Sequence, residues 1–151
     1  MKRLWLLALA VAAQLQAQTA PGGREAAIPN GLLGYTFCRA GLAETWIRAD
    51  IVGTPQAEEV LAHEAVHRQQ AGAAPSCEAF FASLASARRV VEVEIPAYCA
   101  QWRVVERRGA DREATLREYA LRISAQSGAM ENRLDVLAML RAGCPEGETE
   151  Q

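Results

Sequence analysis

Helix start and stop signals restrict how this chain can fold more than any other feature, and the clearest set lies in "GTPQAEEVLAHEAVHRQQAG" at residues 53–72. Thr54 is expected to be the N-cap, because its hydroxyl can accept a hydrogen bond from a free backbone N–H group of the first turn. Pro55 fits the first helical position, where no N–H group is needed, and Gly72 is expected to end the helix. One long helix is therefore predicted over this stretch.

Similar signals divide the rest of the chain. A second helix is predicted to begin at Ser76, to kink or restart at Pro96 and to stop at Gly109, because proline lacks the N–H group that a helix interior requires. A third helix is predicted to begin at Asp111, with a break or weak point at 127–128, where glycine follows serine. The C-terminal two thirds of the chain is therefore expected to be almost entirely helical.

Two short segments before the first helix alternate apolar and polar residues. They read "LLGYTFCRAG" and "LAETWIRADIV", contain aromatic and β-branched residues, and meet at a turn expected near residues 39–41. This pattern predicts a β-hairpin. The predicted fold class is α+β and predominantly helical, with a short N-terminal β-hairpin or sheet, the long helix of 53–72 and two or three further helices.

The N-terminal segment indicates export. "MKRLWLLALAVAAQLQAQTA" has a basic start, an apolar run too short to span a bilayer and small residues after it, as a secretory signal peptide does. We predict a signal peptide at 1–20, a flexible lead-in at 21–30, a single domain at 31–145 and a frayed acidic tail at 146–151, since 151 residues suffice for one core. The expected location is secreted or periplasmic, with no stable membrane span once the signal peptide is removed.

The charge of the chain argues against a nucleic-acid partner. Of its 16 lysine and arginine residues, Lys2 and Arg3 would leave with the signal peptide, whereas all 18 acidic residues would remain, so the mature chain carries a net charge of about −4. Nucleic-acid binding needs a basic face that neutralises phosphates. A nucleic-acid partner is therefore not expected.

Four cysteines remain after export, and an even number in an oxidising compartment predicts two disulfides. Their pairing depends on how the helices pack. If the helix that begins at Ser76 ran antiparallel to the last helix, Cys77 would lie near Cys144, which would leave Cys38 to pair with Cys99. The predicted disulfides are therefore Cys77–Cys144 and Cys38–Cys99.

The chain contains only two histidines, His63 and His67, and both lie in the first predicted helix with Glu64 directly after the first of them. Residues four apart lie on the same face of a helix, so the two imidazoles can bind one ion. Two solvated surface histidines are the alternative, but the neighbouring residues are apolar and favour a buried site: Val60, Leu61, Ala62, Ala65 and Val66. Catalytic zinc takes three protein ligands and one water, so a third ligand is required.

The stretch "HEAVHRQQ" resembles the HExxH core of the zincin metallopeptidases, and Gln70 matches the HExxHxxQ variant of small bacterial gluzincin-like domains. The resemblance implies a minimal zincin-like fold, Zn²⁺ as cofactor and a third ligand that is a glutamate in an ExxA setting on the following helix. In "EVEIPAY" at 92–98, Glu94 fits that setting. Glu92 is the alternate ligand, because Pro96 can redirect the backbone nearby.

The same resemblance implies a zinc-dependent metallopeptidase that acts on peptide or protein substrates. Glu64 would be the general base that takes a proton from the zinc-activated water. Tyr98 or Tyr119 could donate a hydrogen bond to the oxyanion, and Gln70 could orient a metal ligand or cap the helix end. The alternative is a non-catalytic, disulfide-stapled envelope binding or interaction domain with a structural or vestigial zinc site.

Overall fold

The computed structural model describes residues 31–128 and 132–145. The predicted signal peptide at 1–20, the lead-in at 21–30 and the acidic tail at 146–151 lie outside these ranges. Within the described ranges, no helix combines the length and the apolar character needed to cross a bilayer. The elements form a predominantly helical α+β fold, with one two-stranded sheet followed by helices.

The predicted hairpin is confirmed. Strand β1 (Gly34–Arg39) pairs with β2 (Leu42–Ile47) in an antiparallel register that places Arg39 opposite Leu42. The two residues between the strands, Ala40 and Gly41, have φ angles of 51° and 80°. Positive φ at both central residues is the signature of the type I′ turn, whose twist matches that of the strands it joins.

Helix α1 (Pro55–Ala73) follows a short 3₁₀ turn at Ala49–Ile51. The predicted cap is confirmed, because the Thr54 hydroxyl accepts a hydrogen bond from the Ala57 N–H group at 3.3 Å. The predicted end at Gly72 is wrong, since the helix runs through that glycine. Ala74 ends the helix instead, in an extended conformation, because the proline ring that follows disfavours a helical backbone at the residue before it.

Two helices replace the second predicted one. Helix α2 (Cys77–Ser83) starts at its predicted cap, and helix α3 (Ala87–Glu106) begins after a break at 84–86. Pro96 lies inside α3, so the helix does not restart there. Proline removes the hydrogen bond to the Glu92 carbonyl, but both residues lie on the exposed face of the helix, where water can bond to that carbonyl.

Helices α4 (Arg112–Ser127) and α5 (Arg133–Gly143) complete the fold. Asp111 caps α4 by accepting a hydrogen bond from the Ala114 N–H group at 2.7 Å. The predicted break at 127–128 is confirmed, because Gly128 ends α4 in a left-handed conformation with φ of 71°. Within the described ranges, four α-helices therefore follow α1, where two or three were predicted.

Helix α1 packs antiparallel against α3, since Gln70 near the end of α1 contacts Val93 and Pro55 at its start contacts Arg108. The main core lies between α3, α4 and α5 and is built around Trp102 and other fully buried side chains. A smaller cluster around Phe80 joins β1, α1, α2 and α3. Helix α1 thus has the hairpin on one side and the helical core on the other.

The disulfides are Cys38–Cys77 and Cys99–Cys144, so both predicted pairs are wrong. The prediction assumed one long helix from Ser76 lying against the last helix. Because that segment breaks at 84–86, α2 is a short helix beside the hairpin, and Cys77 meets Cys38 of β1 with a Cα–Cα distance of 5.8 Å. Cys144, at the end of α5, then meets Cys99 of α3.

Candidate metal centre

Two imidazoles from consecutive turns of α1 meet a carboxylate from α3. The Nε2 atoms of His63 and His67 lie 3.1 Å apart. Glu94 places one carboxylate oxygen 3.2 Å from the His63 Nε2 atom and the other 3.4 Å from the His67 Nε2 atom. The three donor groups lie within 4.8 Å of one another, so they can hold a metal ion between α1 and α3.

The two candidate glutamates lie on different faces of α3. Glu94 is buried with 5% of its surface exposed, whereas Glu92 is exposed and paired with Arg88 and Arg89. Residues two apart on a helix are separated by about 200°, so when one points at α1 the other points away. The structure therefore brings Glu94 to the histidines and leaves Glu92 in solvent.

Glu94 is held in its ionised form. Burial alone would raise its pKa, but the hydrogen bonds and charges of His63 and His67 outweigh burial and lower the pKa from 4.5 to about 2. Gln126 of α4 also donates its side-chain N–H group to Glu94 Oε1 at 3.0 Å. A buried carboxylate that stays charged is suited to binding a cation. The contact of Gln126 with Glu94 was not anticipated from the sequence.

Gln70 fixes the orientation and tautomer of His67. Its side-chain N–H group donates to the Val93 carbonyl at 3.0 Å, which leaves its Oε1 atom to accept from His67 Nδ1 at 2.9 Å. With the proton on Nδ1, the lone pair of the neutral ring lies on Nε2, the atom that faces Glu94. Burial opposes protonation of His67, but the hydrogen bond and charge of Glu94 outweigh it and raise the pKa of His67.

Two buried polar atoms of the ligand group make no hydrogen bond of good geometry, although Glu94 Oε2 lies 3.2 Å from His63 Nε2. They are Glu94 Oε2 and His63 Nδ1. Buried carboxylate oxygens are seldom left without a hydrogen bond, and a cation between the imidazoles and the carboxylate would give Glu94 Oε2 a partner. The residues present therefore fit a bound metal ion.

Glu64 faces the hairpin side of α1 and is also buried, with 7% of its surface exposed. The Thr36 hydroxyl donates to Glu64 Oε2 at 2.7 Å. Thr36 and Thr45 are opposite each other in the sheet, and their hydroxyl oxygens lie 2.8 Å apart. Because Thr36 has a single hydroxyl proton and gives it to the carboxylate, Thr45 must donate to Thr36.

Neither threonine was anticipated as a site residue. The signal that points to them is the alternation of the two strands, which places the side chains of residues 36 and 45 on one face of the hairpin. Sequence reasoning could have selected that face only if the packing of α1 on the sheet had been known. The distance of 28 residues between Thr36 and Glu64 explains why the contact was missed.

The two predicted oxyanion donors lie at different depths. The rings of Tyr98 and His63 pack edge to face with centroids 4.5 Å apart, and the ring of Tyr119 packs against that of Tyr98 at 4.6 Å. Burial raises the pKa of both tyrosines, so both hydroxyls keep their protons at neutral pH. Tyr98 therefore adjoins the ligand group, and Tyr119 lies one ring behind it.

Comparison of the chain with known protein families, curated proteins and solved structures found no match. The resemblance to zincin metallopeptidases therefore depends on the sequence motif alone, the residues of "HEAVHRQQ" and "EVEIPAY".

Proposed function

We propose that the protein is a zinc-dependent metallopeptidase in which His63, His67 and Glu94 hold the metal and Glu64 is the general base. The observation that carries this proposal is the convergence of two imidazoles and one carboxylate, together with a second buried carboxylate, Glu64, whose charge helps to raise the pKa of His67. Two nitrogen donors and one carboxylate oxygen form a donor set that zinc accepts. When bound, zinc supplies Lewis-acid activation of a water molecule and of the scissile carbonyl group.

The number of donors supports an open site. Structural zinc sites are closed by four protein ligands, whereas catalytic sites use three and leave one position for water. In the part of the chain that the structure describes, no further histidine, cysteine, aspartate or glutamate joins these three residues as a fourth ligand. This count favours catalysis over the alternative of a non-catalytic binding domain with a structural zinc.

The role of Glu64 follows from its surroundings. Thr36 binds one carboxylate oxygen, Oε2, and thereby fixes the orientation of the side chain. The other oxygen, Oε1, is left to accept a proton from the attacking water and to deliver it to the departing amine. A general base held by a hydroxyl chain keeps its geometry between turnovers, which is what proton transfer requires.

Tyr98 is the better of the two tyrosine candidates for the oxyanion, because it adjoins His63 and its hydroxyl stays protonated. Tyr119 packs against its ring. Two disulfides are compatible with an extracellular location. We therefore propose a secreted or periplasmic enzyme that acts on peptide or protein substrates.

The test is Glu64→Gln, which keeps the shape of the side chain and removes its ability to take a proton. We expect hydrolysis of a mixed peptide library to fall by about 10²- to 10⁴-fold, with one zinc per chain retained in elemental analysis. Glu92→Gln is the matched control, because it makes the same change on the exposed face of α3, and it should leave hydrolysis unchanged. Zinc binding without hydrolysis by the parent would favour the binding domain.

A further inference from the structure

The space between α1, α3 and α4 contains a cavity of about 190 Å³, and Glu59 in its lining lies one helical turn before His63. Its polar lining includes Glu59 of α1, Gln101 of α3, and Glu118, Tyr119 and Arg122 of α4. The volume equals that of about six water molecules in the liquid. This is enough for one long side chain and too little for a folded segment.

Along α1, the cavity lies one helical turn before the metal centre. Glu59 precedes His63 by four residues, so the two side chains share one face of the helix and are separated by roughly 6 Å of helix rise. Tyr119 lines the cavity and packs on Tyr98, which in turn packs on His63. A substrate whose scissile bond lies at the metal can therefore place a neighbouring side chain in the cavity.

The charges of the lining favour a cation. Two carboxylates, Glu59 and Glu118, stand on walls formed by different helices, and Arg122 is the single cationic side chain of the lining. Arg122 is paired with Glu118 on the exposed surface of α4, and exposed pairs of this spacing are weak and easily exchanged. Glu59 is paired with Arg108, which is outside the lining.

We propose that this cavity binds the basic side chain, lysine or arginine, of a residue next to the scissile bond. The assignment rests on the proposed peptidase function. Val60 and Val105 also line the cavity and can cover the apolar stem of such a side chain, while the cationic head reaches the two carboxylates.

The amino terminus of a substrate is another source of a cationic group, but it is too short to reach from the metal to the cavity. The α-amino group of the residue that carries the scissile carbonyl lies within about 3.5 Å of it along the chain. The cavity begins one helical turn before His63, roughly 6 Å away along α1. The four-carbon stem of lysine spans that gap, and an α-amino group does not.

Three small probes added to the metal-free full chain test the site without any need for hydrolysis. They are Nα-acetyl-lysine amide, which carries a side-chain cation, alanine amide, which carries only an amino-terminal cation, and Nα-acetyl-norleucine amide, which carries none. In ¹H–¹⁵N NMR titrations we expect the lysine probe to shift the backbone signals of Gln101, Thr115 and Tyr119 and to bind about fivefold more tightly than norleucine.

Paired variants show whether the two carboxylates cause this preference. Glu59→Gln with Glu118→Gln should remove it. Glu58→Gln with Glu113→Gln is the control, because it changes two neighbouring glutamates that also pair with arginines but lie outside the lining, and it should keep the preference. Equal binding of lysine and norleucine probes, or binding of alanine amide alone, would overturn the proposal.

Hydrolysis then separates this proposal from the proposed function. We compare kcat/KM for acetylated peptides that differ only in lysine or norleucine beside the scissile bond. An active enzyme with equal rates for both would overturn the basic subsite while leaving the peptidase function intact. A chain that binds the lysine probe but cleaves nothing would contradict the peptidase function and leave a cation-binding cavity.

Discussion

The two sides of α1 provide different environments for a buried glutamate. On the side that faces α3, a buried glutamate, Glu94, meets two imidazoles and the amide of Gln126. On the side that faces the hairpin, a buried glutamate, Glu64, meets a chain of two threonine hydroxyls. The first environment places its carboxylate in contact with the candidate metal ligands, and the second holds its carboxylate by a hydroxyl, near enough for its charge to help raise the pKa of His67. The two environments therefore differ in the way that the roles proposed for them require, metal binding for Glu94 and proton transfer for Glu64.

Each side of α1 is also stabilised by its own disulfide. Cys38–Cys77 joins β1 to the start of α2, just after α1 ends. Cys99–Cys144 joins α3 to the end of α5. Cys99 lies five residues after Glu94 in α3. One disulfide thus holds the hairpin that carries Thr36, and the other holds the helix that carries Glu94. The two carboxylates are supported by different parts of the fold, so variants can affect one without the other.

The largest effect is expected from removal of a metal ligand. His63→Ala and Glu94→Ala each remove a donor from the group, so we expect the zinc Kd to rise by more than about 100-fold, beyond the range seen when only a supporting hydrogen bond is lost. Glu92→Ala is the control, since that side chain is exposed and paired with arginines. Zinc bound equally well by all three variants would show that the metal lies elsewhere.

The two amides on the α3 side should have the next largest effect. Gln70→Ala releases His67 Nδ1, and Gln126→Ala releases Glu94 Oε1. Loss of such supporting contacts costs about 10- to 100-fold in metal affinity, which competition with a zinc chelator can measure. Gln69→Ala is a matched control, because Gln69 is adjacent to Gln70 and exposed. If both variants bound zinc as tightly as this control, these amides would have no role in holding the ligands.

The difference between the two sides also explains what the sequence could reveal. The Thr54 cap, the turn at Gly41 and the break at Gly128 depend on neighbouring residues, and each was predicted correctly. The histidines and Glu64 share one helix, so their spacing was enough to bring them together. Glu94 was selected through a resemblance, and the face of α3 on which it lies depends on how that helix packs.

Contacts between distant elements were beyond prediction. Thr36 and Gln126 reach the two glutamates across 28 and 32 residues. The disulfide pairs were predicted wrongly because the break at 84–86 has no proline or glycine to mark it. Pro96 carries the stronger local signal for a break, but its exposed position lets α3 continue. Packing therefore determined both outcomes.

On the hairpin side, Thr36→Val tests the orientation of Glu64. The change removes the hydroxyl that bonds Glu64 Oε2 at nearly constant volume. Loss of a hydrogen bond to a charged group costs about 1.5–3 kcal/mol of stability, and we expect kcat to fall about 10-fold by the same loss of orientation. Zinc stoichiometry should not change. Thr45→Val, one step farther along the chain of hydroxyls, should have a smaller effect, and equal effects on kcat from both variants would contradict a direct role for Thr36.

The last prediction concerns the pH dependence of stability in the metal-free protein. The pKa of Glu94 is lowered from 4.5 to about 2, so its contribution is complete above pH 4.5 and is lost as pH falls towards 2. The pKa of His67 is raised from 6.5, so its contribution is complete below pH 6.5 and is lost as pH rises through the raised value. The pair therefore stabilises the fold most between 4.5 and 6.5.

Urea unfolding with a chelator present, at pH values inside and on both sides of that window, measures this contribution. The difference in unfolding free energy between the parent and Glu94→Gln should be largest inside the window and should shrink on both sides. Added zinc should stabilise the parent most at the alkaline side, because the metal binds the neutral imidazole and competes with its proton. A difference that stays constant with pH would show that Glu94 is not paired with the imidazoles, and the α3 side would then be no better prepared for a cation than the hairpin side.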